Sequence, residues 1–497
     1  MNPTRVGALG LLVTVVVPGT TRAQGYRLRI DSRVQVVSYR GFLLDSVATI
    51  DTVTGPGGGP QTPGGFAVNC GPAAQYCFFF RPGPDRRGAP FVTTTDLTLW
   101  GLGVPGLSVR TSARLDVDLG ESNVWPGTGP AVQLLEGYGE YSSSWITGRA
   151  GRQIVPTRLS YAGFDGGLLT LRDSRRGVEL SGYLGWGLGR ASVLPVTSPV
   201  LNPLNDFQPI ERQLVAGGAL GWTGRYADAR LDYLREVDRG THGLVSERAA
   251  LSASLRPASH WILTGGAEYD LAQGWFGSAD GSLHYASRLI SASAGGRRYR
   301  PFFDLWTIWG AFSPVPYTSL WADASVSPWP SIQIRGRAER YWFADASVQA
   351  PLVQAESDGW RASWSASYAP SPRWTLDAGY HAEFGPGASS LGWQGSVRFS
   401  PTTGIALTVQ GATLNRPLEF RFDDANVKSF GLDAEWSPSA STRFGVGAAR
   451  YREERRRPDA AAFNWSQTRV QARVTLLFSS GADRAQLPPA IRRGARR

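Results

Sequence analysis

Two cysteines, one methionine, four histidines and a single lysine (Lys428) occur among 497 residues. Two cysteines exclude a disulfide-dense secreted scaffold. Neither a Cys-x-x-Cys nor a Cys-x-x-Cys-His is present, so no redox dithiol motif or covalent c-type haem site is encoded. His242, His260, His284 and His381 lie far apart, in no metal-ligand or nucleophile spacing. Beyond the N-terminus no run of about 18 apolar residues occurs, which excludes a helical membrane protein. Charged residues make up 18%, below the roughly 25% of soluble domains. What the chain does have is glycine (60), tryptophan (18) and 42% apolar residues, too much apolar surface for disorder. These features leave a large β-protein.

Residues 1–23 read as a secretory signal peptide. Arg5 supplies the positive region, Val6 to Val17 the apolar core, and Thr21-Arg22-Ala23 a small-residue cleavage site. An apolar run this short, ending at Pro18-Gly19, does not span a bilayer. The mature chain is expected to be exported, where Cys70 and Cys77 can close a small structural loop.

From Tyr26 onward the dominant period is two. Tyr26, Leu28 and Ile30 alternate with Arg27, Arg29 and Asp31; Val470, Ala472, Val474, Leu476 and Phe478 alternate with Arg469, Gln471, Arg473 and Thr475. Successive strand residues point to opposite faces, so each segment has one apolar and one polar face. A soluble sandwich alternates too. These strands, however, are longer than the usual 5 to 6 residues and about long enough to cross a bilayer at a tilt. Their ends carry Trp100, Trp222, Trp261, Trp374, Phe399 and Trp436, as aromatic girdles do. Tight proline-bearing links (256–259, 327–328, 370–372, 400–403, 437–439) alternate with long Gly-, Pro- and charge-rich ones (41–90, 121–130, 191–209, 301–316, 344–359, 415–425, 453–464). The pattern predicts an all-β, antiparallel, up-and-down transmembrane barrel of about 22 strands over residues 24–478. Tight turns are expected on the periplasmic side and long loops outside, with 41–90 the first external loop and a basic periplasmic tail at 479–497.

The last strand, Trp465 to Phe478, resembles the C-terminal assembly signal of Gram-negative outer-membrane barrels. Gly151-Arg152-Gln153 followed by Phe164-Asp165-Gly166 is similar to a segment of porin-like and alginate-export-like barrels. The resemblance implies residence in the bacterial outer membrane, contact with its lipid, and an Arg152 that faces the channel with Asp165 as partner. The first strand begins almost at the cleavage site. No N-terminal plug of the TonB-dependent kind is therefore expected, and a lumen this wide calls for an infolded loop, a plug or a guest.

No catalytic constellation is evident, so no enzyme, cofactor or metal is expected. Gly55 to Gly59 lacks the Lys-Ser/Thr of a phosphate loop. Asp116 and Asp118 share a strand face without a base or nucleophile and read as channel-lining charge. The net charge of +11 invites a nucleic-acid partner, which export and scattered charge exclude. Arginines recur on polar strand faces: Arg27, Arg29, Arg33, Arg110, Arg114, Arg335, Arg337, Arg398, Arg469 and Arg473. Either they form a positive, anion-concentrating wall, or neighbouring carboxylates pair with them across strands. The apolar segment 302–312, with Phe303, Trp306 and Trp309, is a candidate constriction, docking site or strand continuation. Two functions fit: a passive, anion-preferring channel for small solutes, or the barrel sheath of a porin–cytochrome conduit around a separate multihaem cytochrome. An adhesin or receptor would place function in 41–90 instead.

Overall fold

A computed structural model describes residues 25–55, 58–72, 74–120, 131–159, 161–188, 213–240, 242–300, 317–343, 358–385, 388–418, 425–455 and 464–480. The signal peptide, residues 481–497 of the tail, and Phe303, Trp306 and Trp309 fall outside them.

The chain runs as consecutive antiparallel strands: β1 (Gly25–Ala48), the short pair β2 (Val53–Thr54) and β3 (Pro60–Gln61), β4 (Tyr76–Gly88), β5 (Pro90–Trp100), β6 (Leu107–Asp118) and β7 (Ala131–Ser142). Next come β8 (Ile146–Pro156), β9 (Tyr161–Asp173), β10 (Val178–Gly187), β11 (Leu214–Thr223), β12 (Ala227–Val237), β13 (Leu244–Ala258), β14 (Trp261–Asp270) and β15 (Trp275–Ala286). The circuit continues through β16 (Ile290–Tyr299), β17 (Tyr317–Trp329), β18 (Ile332–Phe343), β19 (Asp358–Ser371) and β20 (Trp374–Gly385). It ends with β21 (Ala388–Thr402), β22 (Ile405–Leu418), β23 (Ala425–Ser439), β24 (Thr442–Arg455) and β25 (Trp465–Ser480). In the wall β1 pairs with β5, and from β5 to β25 each strand pairs with the next in sequence. The last pairs with the first, from Tyr26↔Ser480 to Val37↔Arg469, closing a barrel of 22 strands. Closure leaves no unpaired edge, the condition for a sheet to cross lipid. With strands ~4.8 Å apart and tilted ~40°, the wall is roughly 44 Å across between backbones.

The alternation read from the sequence sets the two faces. On β12, Leu231 is 48% exposed while its neighbour Asp232 is 1% exposed. Leu180, Leu184, Leu220, Leu320 and Val446 stand out in the same way, an outward apolar band that water would not tolerate. Links at one end, such as 143–145, 372–373 and 440–441, are tight. Exposed Trp222, Trp261, Trp329, Trp374 and Trp436 ring that end. Trp374 packs on Phe399 at 4.4 Å and Trp261 on Tyr285 at 4.9 Å between ring centroids.

The boundaries of the first hairpin and of β9 and β11 are not marked by the turn residues. Residues 41–90 are not simply a loop: β1 and β4 continue the first hairpin past the wall, pairing from Val37↔Gly88 to Ala48↔Tyr76. Pro82-Gly83-Pro84 reads as loop in the sequence, but the register shifts between Arg40 and Phe42 to admit it, a bulge in a strand outside the closed wall. The extension is closed by the Cys70–Cys77 disulfide, and Phe66 stacks on Phe79 beneath it. The long link expected over 191–209 gives way to β11 only at Leu214, and β9 begins already at Tyr161.

Candidate functional site

The start of β9 matters most. β8 and β9 pair along their whole length, to Pro156↔Tyr161. Their outer neighbours release them early. β7 pairs with β8 only as far as Gly137↔Arg152, and β10 with β9 only as far as Gly187↔Phe164. The last part of this hairpin therefore leaves the wall. At the elbow Gly151 has φ of 129°, and a Cβ there would run into the carbonyl oxygen of Gly137. Its cross-strand partner Gly166 would meet the carbonyl of Leu184 in the same way. Glycine on both strands is what lets the hairpin bend this close to its neighbours.

The tip bends inward. Arg158 in the turn reaches Glu268 on β14 at 3.8 Å and also pairs with Asp280 on β15. Arg248 on β13 donates to the carbonyl of Leu159 at 3.2 Å. All three wall residues lie on the face opposite the exposed Leu251, Leu263 and Leu283, so the tip lies inside the barrel. Beneath it Leu159, Ala162 and Phe164 pack on Tyr183, Val215, Leu234 and Ala250. Phe164 stacks on Tyr183 with centroids 5.2 Å apart. An apolar cluster on the inner face of a barrel would be wetted if the tip did not cover it. The elbow is clasped from behind. Arg152 makes a two-pronged bond to Asp165 (2.7 and 2.9 Å) and donates to the Leu134 carbonyl at 2.9 Å, across the gap where β8 leaves β7. The register puts this pair on the side of Leu169 and Leu171, opposite Gln153 and Phe164. Arg152 thus stands apart from the arginines of the inner face.

Those arginines, Arg27, Arg29, Arg33, Arg110, Arg114, Arg335, Arg337, Arg398, Arg469 and Arg473, alternate with outward apolar residues, as do Asp116 and Asp118. Many are paired. Arg29 meets Asp31 at 2.6 Å, Arg110 meets Glu136 at 3.3 Å, and Arg114 meets Asp116 at 2.9 Å. Arg337 lies 3.2 Å from Glu339, a buried carboxylate that also faces Arg297 and Arg361. Arg398 and Arg473 share Glu435. Asp118 accepts the amide N–H groups of Ala89 and Gly120, each at 2.9 Å, and so ties down a strand end. Arg33 and Arg469 bond to glutamine side chains, and among the described residues Arg27 and Arg335 make no ion pair. No group of three or more metal-ligating side chains occurs among the described residues.

No protein-family model matches the chain, and no curated protein matches it. Solved structures do. A mutant of the ferric enterobactin receptor PfeA from Pseudomonas aeruginosa superposes with a TM-score of 0.51 at 10% identity, covering 90% of this chain and 80% of that one. A BenF-like porin from Pseudomonas fluorescens Pf-5 gives 0.40 at 9% identity, over 91% and 99% of the two chains. OccAB1 from Acinetobacter baumannii gives 0.39 at 8% identity, over 92% and 99%. At these identities the likeness is one of fold alone: the protein is a closed, antiparallel, up-and-down β-barrel of 22 strands.

Proposed function

We propose that the protein is a passive, non-enzymatic channel through which small hydrophilic solutes cross the outer membrane, with the β8–β9 tip as its constriction. The observation that carries this reading is the tip itself, folded inward and held against the polar face of β13–β15. It narrows a bore that would otherwise be far too wide to select. The same occupancy favours a channel over a sheath, because a multihaem guest would need the space the tip takes. The tight-turn end is read as periplasmic and the long first hairpin as external.

Selectivity on this reading is weakly anionic. Most inner-face arginines are neutralised by adjacent carboxylates, which leaves Arg27 and Arg335, with Arg33 and Arg469 against neutral amides, to supply the field. The purified mature chain in a planar bilayer under a salt gradient should give stable open steps and a reversal potential of the anion-selective sign. A folded, heat-modifiable barrel that conducts no ions would overturn the channel reading and return attention to a guest.

A further inference from the structure

On the inner wall of β18–β24, away from the tip, a stretch lies between the Arg337–Glu339–Arg361 and Arg398–Glu435 charge clusters. A groove of about 630 Å³ runs across these strands. The side chains that converge on it are amides, hydroxyls and one charge of each sign: Arg335, Ser365, Asp377, Gln394, Gln410 and Tyr451. Its floor is cut back by small residues such as Ala412 and Gly431. Among the described residues, the side chains of Arg335, Ser365, Gln394 and Gln410 make no hydrogen bond within the protein, and the Asp377 carboxylate accepts only from the Ser396 hydroxyl, at 3.2 Å. Elsewhere the arginines are mostly matched with carboxylates; here the polar groups are left open toward the lumen.

Resting on the channel reading above, we infer that this groove binds an uncharged polyhydroxylated solute of about disaccharide size. The argument is one of matching. Each sugar hydroxyl both donates and accepts, so vicinal pairs satisfy a carboxylate, a guanidinium and a primary amide alike. A zwitterion would use Arg335 and Asp377, and the single peptide group of a dipeptide could pair with only part of the two glutamine amides. An anion would meet Asp377. Only a polyhydroxylated guest engages every group that the wall leaves unpartnered.

The test uses the full mature barrel. Sucrose and raffinose are added to an ion-conducting bilayer, with glycylglycine as the zwitterionic comparison, and block is scored relative to each protein's own open current. Saturable block by the sugars and none by glycylglycine is expected. The half-blocking concentration should rise about tenfold in the Gln394→Ala/Gln410→Ala variant, the loss of two amide contacts, and rise also in Arg335→Ala. Block by glycylglycine alone, or sugar block unchanged in both variants, overturns the inference. If the barrel conducts nothing, calorimetric titration of the detergent-solubilised protein with the same probes decides separately: sugar binding lost in the variants upholds the groove, and no binding removes it. Heat-modifiability checks that each variant is folded.

Discussion

Leu159 lies at the tip of the infolded hairpin and is 6% exposed, packed with Phe164 and Leu234. Replacing it with alanine removes an isobutyl group from the bed that holds the tip. In a site that can partly refill, that loss is about 2–3 kcal/mol. The remaining hold is modest. The Arg248 hydrogen bond contributes roughly 1 kcal/mol. The Arg158 pairs, with Asp280 nearly half exposed, add about 0.5–1 kcal/mol after screening. A tip held by about 4 kcal/mol is undocked roughly one part in a thousand of the time. Leu159→Ala raises that fraction about 30- to 150-fold, to several per cent or more. Single-channel recording should therefore show the variant visiting a second, larger conductance level that the wild type almost never enters, with dwell time rising further in Leu159→Ala/Arg158→Ala. A folded variant whose trace matches the wild type, with no new level, would refute the claim that the tip sets the passage.

Four other outcomes follow from contacts elsewhere in the wall and the first hairpin. Arg114→Ala strands the buried carboxylate of Asp116 and should cost about 3 kcal/mol in urea unfolding from liposomes. Arg335→Ala breaks no pair, should change stability by no more than about 0.5 kcal/mol, and should move the reversal potential toward cations. Reducing Cys70–Cys77 should loosen the first hairpin by about 2–3 kcal/mol, exposing Arg81, Arg86 and Arg87 to trypsin while open-channel conductance stays the same. In that hairpin the Ser46 amide N–H and the Arg81 guanidinium hold the Asp45 carboxyl below its ordinary value. A carboxyl lowered by folding stabilises above its unfolded value and ceases to as pH falls through its folded one. Hydrogen-exchange protection factors around Asp45 and Phe79 should accordingly fall below about pH 4, and Asp45→Asn should remove that acid-dependent change.

The barrel was legible because lipid imposes one rule on every strand. Leu231 outside and Asp232 inside is the same decision as Leu28 outside and Arg29 inside, repeated around the wall, so period and turn chemistry suffice to count strands. The first hairpin was misread where that rule lapses. Beyond Val37 the strands leave the wall, and Pro82 and Pro84, forbidden in a central strand, are accommodated by a bulge at its edge. The infolded tip was missed for a different reason, since the sequence of β8 and β9 continues as extended strand without a turn where the hairpin leaves the wall. Signals were there. Gly151, Gly166 and Gly185 cluster where backbones must approach closely, and Phe164, Tyr183 and Leu234 put apolar groups on a face that should be polar. Only pairing across strands distant in sequence brings those facts together, and it places the Arg152–Asp165 pair at the elbow.

The position of the tip also divides the work of the wall on the channel reading. Docked on β10–β15, it covers the inner face there, and Tyr183, Val215, Leu234 and Ala250 serve to hold it. The passage left open is bounded by the opposite strands, where Arg27, Arg335 and the neutral groove lie. Substitutions beneath the tip should then change how often the pore widens while leaving the sign of its selectivity alone. Substitutions on β1 and β18–β24 should change what passes while leaving the level structure alone. A variant such as Leu234→Ala that shifted the reversal potential without altering conductance levels would show that solutes travel over the tip's bed, and the assignment of the two sides would have to be exchanged.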